Sequence, residues 1–245
     1  MKITYKIIIL MASFSFAVQL KRWGYDRTQE DFMIKNYIFD IDGTLINTID
    51  MYMPAMIEIL EKHGYHTDPA DVEQKKHDLF GITGMDALKI AGVADDKLRR
   101  QMQQEWFKLA YQREDRIQVF DGIPETLLKL SQSPDIQIAI ATSKLRDEYD
   151  HHFANLFAFA KLFDIVITSN DTDRHKPDPE PVLAALDQMH AAPETAVYVG
   201  DTINDEKAAH AAGVKFAAAL YGAATPEKIM DGDFLLHQPT DLLNI

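Results

Sequence analysis

Short, continuously apolar runs recur along the chain from residue 37 onward, and the segments between them repeat apolar residues at helical spacing. The runs are Tyr37–Ile41, Gln137–Thr142 ("QIAIAT"), Asp164–Thr168 ("DIVIT"), Ala196–Gly200 ("AVYVG"), Lys215–Leu220 and Asp233–Leu236. Unbroken apolar runs, rather than alternating ones, suit strands of a parallel sheet covered on both faces. Helices are predicted over Pro124–Leu130, Leu145–Phe157, Pro179–His190 and Asp205–Ala212, and Ala211-Ala212-Gly213 reads as a helix ending in its C-terminal glycine. Strand, helix, strand in succession predicts a doubly wound, Rossmann-like α/β domain.

The rhythm fails between Thr48 and about Val119, where only helical patterns appear. "MYMPAMIEILEKHG" ends at Gly64, "GMDALKIAG" ends at Gly92, and "DDKLRRQMQQEWFKLAYQRE" runs long. The predicted organisation is therefore an α/β core over 34–48 and 119–245, with a small all-helical cap over 49–118. A helical insertion directly after the first strand would lie over the sheet's carboxyl edge, where ligands of open α/β sheets bind. Upstream, Lys2 and Lys6 precede an apolar run from Ile7 to Leu20 of signal-peptide length, with Ser15-Phe16-Ala17 as a small-residue cleavage site. Met33 directly precedes the first strand, so residues 1–33 read as an extension from a mis-assigned start, a signal or an anchor. The folded domain is expected in the cytoplasm, with secretion or anchoring left open by that segment.

Composition narrows the function. Apolar residues make up 47% of the 245-residue chain and charged ones 26%, the balance of a soluble globular protein. A formal net charge of -13 argues against nucleic acid as a partner. Anion binding would then need a metal, or a local group of lysine and N–H donors. There are no cysteines, which excludes disulfides and thiolate chemistry.

Polar signals stand at or just past four of the predicted strands. The first is Asp40-Ile41-Asp42-Gly43-Thr44, two carboxylates at strand spacing that would face the same way. Such crowding is costly unless a cation or a shared proton relieves it. The others are Thr142-Ser143 closing "IAIATS", Lys176 in "RHKPDPEPV", and Asp201 with Asp205 in "VGDTINDEKAA". In a parallel sheet they converge on one crevice.

These motifs, over residues 34 to about 237, resemble the haloacid dehalogenase superfamily of phosphotransferases, in the branch with a helical cap between the first two motifs. "KPDPEPVLAAL" and "YVGDTINDEKAAHAAGV" are similar to phosphoglycolate-phosphatase-like and pyrophosphatase-like members. The resemblance implies Asp40 as nucleophile, forming an aspartyl-phosphate, and Asp42 as the acid that protonates the leaving oxygen and then deprotonates water. It implies Mg2+ held by Asp40, the backbone carbonyl of Asp42 and Asp201, with oxygen ligands that suit magnesium over zinc. Thr142 and the neighbouring Ser143 backbone are expected to bind the phosphoryl group. Lys176 would offset charge on Asp40 and the phosphoryl group. Gly43 would allow the turn that brings N–H groups to phosphate, Thr44 would buttress that turn, and Asp205 would support the metal shell or orient Lys176.

The expected partner is a small phosphorylated metabolite, handled by a monomer or homodimer with no membrane contact from the folded domain. Within the same fold a β-phosphoglucomutase-like mutase stays open, and outside it a non-catalytic binding protein. Asp42 speaks against dehalogenase and phosphonate-hydrolase chemistry, whose family members lack that aspartate. In the cap, the turn at Ile82, Thr83 and Gly84 is the candidate substrate-facing loop. Trp106, Phe107 and Tyr111 are expected in the cap core, His151-His152 on a solvated helix face, and His175 in a loop beside Lys176.

Overall fold

The computed structural model describes residues 33–245, so the apolar segment Ile7–Leu20 and the cleavage-site reading lie outside the described residues. Among those described, no helix is long and apolar enough to cross a membrane. β1 (Asn36–Phe39) lies at the centre of a six-stranded parallel sheet, between β4 (Gln137–Ala141) and β6 (Ala196–Gly200). β5 (Ile165–Ile167) flanks β4, and β7 (Lys215–Ala219) and β8 (Phe234–Leu236) continue the other side, giving the order β5-β4-β1-β6-β7-β8. The chain fills one side of β1 and then the other, so the carboxyl ends of β4, β1 and β6 open together where the winding reverses.

The apolar runs are continuous because both faces are covered. Tyr37, Phe39, Val197, Val199, Ile138 and Ile140 point to one buried cluster, and their neighbours Ile38, Tyr198, Ala139 and Ala141 to the other. The second face is lined with alanines, which admit the helices α7 (Glu180–Met189) and α8 (Ile203–Ala211) close to the sheet. α5 (Ile123–Ser131) covers the first face. α8 starts on a capping box between Thr202 and Asp205 and ends at Gly213, whose φ of 75° is left-handed and costs a glycine little.

Two predicted elements differ from those observed. The first strand stops at Phe39, not Ile41, because the N–H groups of Thr44, Leu45 and Ile46 all turn back to the Ile41 carbonyl. The predicted helix Leu145–Phe157 is only α6 (Arg146–Tyr149), followed by a wider π turn over Asp150–Ala154. In that turn His152 is buried and its ring lies 4.3 Å from that of Tyr111, so the solvated-face reading fails for His152 and holds for His151 alone.

The helical segment leaves and re-enters through a two-stranded antiparallel ribbon, β2 (Ile46–Asn47) and β3 (Gln118–Val119). It contains α1 (Ile49–Lys62), α2 (Val72–Leu79), α3 (Gly84–Ile90) and α4 (Asp96–Ala110). An apolar cluster of its own holds it together, with Met51, Met56, Leu60, Leu88, Met102 and Trp106 buried. By contacts it is continuous with the sheet region, residues Ile34–Ile245 forming one unit.

Candidate active site

Three carboxylates meet at the carboxyl edge of β1 and β6. Asp40 follows β1, its N–H still bonded to the Val199 carbonyl at 2.9 Å, and Asp201 follows β6. With Asp205 from the first turn of α8, each offers an oxygen within 4.8 Å of the others, and all are buried. Asp201 Oδ2 has no hydrogen-bond partner, and Asp40 Oδ1 has only its ion pair with Lys176. Burial pushes the Asp40 carboxyl up to about 6, against the pull of Lys176 and with Asp205 and Asp42 adding to it. Asp201 is raised well above the usual carboxylate range, by burial first and then by its two neighbours. Orphaned, crowded carboxylate oxygens in a dry site fit a hard dication, which would relieve both costs.

Lys176 reaches this cluster from the loop after β5. Its ammonium lies 2.7 Å from Asp205 Oδ1 and 3.1 Å from Asp40 Oδ1, and donates to the Tyr198 hydroxyl at 3.1 Å. Burial alone would drain its charge, but Asp205 and Asp40 outweigh it and hold the lysine well above its ordinary value. The other oxygen of Asp205 accepts from the Thr202 N–H and hydroxyl, at 2.9 and 2.6 Å. Asp205 is thus hydrogen-bonded to Lys176 and stands in the carboxylate cluster.

The turn after Asp40 packs tightly on Asp201. Gly43 has a φ of 76°, and a methyl group there would collide with the Asp201 carboxylate. Its own N–H donates to the Ile46 carbonyl at 2.8 Å. Its part is steric. Thr44 donates to Asp201 Oδ1 at 3.2 Å, and its carbonyl accepts from the Tyr221 hydroxyl at 2.8 Å, so it braces the turn.

A cavity of about 80 Å³ lies against Asp40 and Asp42. Thr142, Ser143 and Lys144 line it from the end of β4, and Tyr52, Phe80, Trp106 and Phe107 from the helical segment. Ile82, Thr83 and Gly84 are in the wall, although the Thr83 hydroxyl is used in capping α3, where it accepts from the Asp86 N–H at 3.3 Å. Trp106 and Phe107 thus belong to the helical core and to the cavity wall. His175 is exposed.

Sequence reasoning missed Lys144, Glu148 and Tyr52. Lys144 is buried and pairs with Asp42 Oδ2 at 2.8 Å, while Thr48 donates to Asp42 Oδ1 at 2.6 Å. The two crowded carboxylates are therefore each matched by their own lysine. Burial would lower Lys144, but Asp42 and Glu148 raise it. The available signal was position: Lys144 stands two residues beyond Thr142, on the same strand-end loop.

The profile of the haloacid dehalogenase-like hydrolases matches residues 37–219. The chain belongs to this family. "Putative pyrophosphatase PpaX" of Clostridium perfringens is 32% identical over 216 residues, covering 87% of this chain and 97% of that one. A solved structure from Lactobacillus plantarum, described as a "putative phosphoglycolate phosphatase", superposes with a TM-score of 0.77 at 28% identity, over 86% of this chain and 99% of that one. β-Phosphoglucomutase of Clostridium difficile shares the fold, with a TM-score of 0.70 at 19% identity, over 86% and 93%.

Proposed function

We propose that this haloacid dehalogenase-like hydrolase is a magnesium-dependent phosphatase acting on a small phosphorylated metabolite of the phosphoglycolate or pyrophosphate type. The observation that carries the reading is the buried Asp40–Asp201–Asp205 cluster, with Lys176 on Asp40 and a small cavity beside it. Relatives bearing the pyrophosphatase and phosphoglycolate phosphatase names support it. Asp40, Asp201 and the backbone carbonyl of Asp42 would hold the magnesium ion, which when bound supplies positive charge against the phosphoryl oxygens.

Asp40 attacks phosphorus in line, so that an Oδ–P bond forms as the bond to the leaving oxygen breaks. Asp42, whose oxygens take Thr48 and Lys144 in the ligand-free protein, picks up a solvent proton when substrate binds, gives it to that oxygen and later takes one from the water that cleaves the aspartyl-phosphate. The Thr142 hydroxyl and the Ser143 N–H bind a phosphoryl oxygen. Lys176, fixed by Asp205 and Tyr198, opposes the charge gathering on Asp40 and the phosphoryl group without reorganising. The helical segment 49–118 serves as a cap, whose aromatic wall excludes water from the intermediate.

The test is phosphate release by the full chain from phosphomonoesters and pyrophosphate, with and without magnesium, beside Asp40→Asn. Magnesium-dependent release that the variant loses is the expected result. Folded protein that releases nothing from any of them overturns the reading, and sugar-phosphate isomerisation by the same sample would assign a mutase instead.

A further inference from the structure

We infer that Lys144 selects the leaving group, and that the preferred substrate carries a second anionic group, a carboxylate or a second phosphoryl, next to the bond that is cut. The inference rests on the phosphatase reading and assigns a residue to its choice of leaving group. Among the described residues lining the cavity, Lys144 is the one lysine or arginine; Lys176 is not part of the wall. It enters from the strand-end loop of Thr142 and Ser143, so a phosphoryl group held there has the Lys144 ammonium as its neighbour on the side of the helical segment.

The surroundings keep that ammonium in place. Its side chain is 2% exposed, and besides the pair with Asp42 it lies 3.3 Å from the Tyr52 hydroxyl. Glu148 cannot fold over it freely. One Glu148 oxygen accepts from the hydroxyls of Tyr52 and Tyr111, at 3.3 and 3.1 Å, and the other from the Leu145 N–H at 2.8 Å. An ammonium has three donors, and Asp42 and Tyr52 take two. The third is available to a ligand in the cavity. The facing wall of Phe80, Trp106 and Phe107 gives a neutral polar leaving group little to bond with and lowers the local dielectric, which strengthens attraction to an anion.

The experiment compares kcat/KM for pyrophosphate and phosphoglycolate with that for 2-hydroxyethyl phosphate, the uncharged counterpart of phosphoglycolate. Wild type, Lys144→Gln and Lys144→Arg are measured as full chains with magnesium. A charge-assisted bond to the leaving group predicts that Lys144→Gln costs both anionic substrates about tenfold more than 2-hydroxyethyl phosphate, over and above whatever loss all three share through Asp42. Lys144→Arg should restore most of the preference. Pyrophosphate falling alone would assign the second anion to a phosphoryl group, and phosphoglycolate alone to a carboxylate. Equal loss on all three substrates would show Lys144 acting only through Asp42, and no loss would show it idle; either overturns the inference.

If wild type cleaves none of them, calorimetry with imidodiphosphate and methylphosphonate reads the same preference without turnover. Lys144→Gln should then weaken imidodiphosphate about tenfold or more and leave methylphosphonate within about threefold. Equal weakening of both overturns the inference whatever the reaction is.

Discussion

Tyr198→Phe removes one oxygen from the middle of the sheet. The ring is fully buried on β6, and its hydroxyl donates to the Ala141 carbonyl of β4 at 2.6 Å, spanning the end of β1, while accepting from Lys176 at 3.1 Å. Phenylalanine keeps the packing, so the loss is two hydrogen bonds in a dry place, one of them from a charged donor. Leaving such partners unpaired costs about 1–3 kcal/mol. For a chain of this size about 2 kcal/mol lowers Tm by roughly 4–8 °C. Scanning calorimetry of the two metal-free proteins measures this directly. The same change removes one of the three groups that fix Lys176, so magnesium-dependent phosphate release should fall several-fold as well. A Tm within 1 °C of wild type would refute the reasoning, because it would mean that neither hydrogen bond contributes to holding the strand ends together.

Gly43→Ala should lose most activity and its stabilisation by magnesium, since left-handed φ costs an alanine about 1–2 kcal/mol and the new methyl displaces the Asp201 carboxylate. Thermal shift on adding magnesium, present in wild type and absent in the variant, is the check. His152→Phe should flatten the acid side of the stability curve. Burial, and then Lys144, lower the His152 pKa below its ordinary 6.5, so the unfolded chain takes up a proton that the folded one refuses. Stability therefore falls as pH drops through about 6.5 toward the folded pKa, by up to about 1.4 kcal/mol per pH unit, and the variant should lack that slope in denaturant titrations. Parallel curves for the two proteins would sink the idea.

The strands were legible because burial on both faces leaves an unbroken apolar run, and Asp40, Thr142 and Asp201 because each stands where such a run ends. Lys144 and Glu148 were not. A buried lysine is defined by what surrounds it, and here that is Asp42 and Tyr52, far away in sequence. α2 was missed because Val72–Leu79 is mostly polar and shows no apolar stripe to read. The break after α6 was hidden for the opposite reason. Tyr149 and Phe153 keep helical spacing and are both buried, yet the backbone between them widens into a π turn that sends His152 toward Tyr111.

The ribbon of β2 and β3 has an evolutionary consequence. Both ends of the helical segment pass through one place, with Ile46 opposite Val119 and Asn47 opposite Gln118. The segment is thus spliced into the chain like a cassette. Its sequence can be lengthened, shortened or exchanged without changing the strand order that holds Asp40, Thr142 and Asp201 together. Change in the cassette therefore reshapes the wall that faces Lys144, while Asp40, Thr142 and Asp201 keep their places at the strand ends.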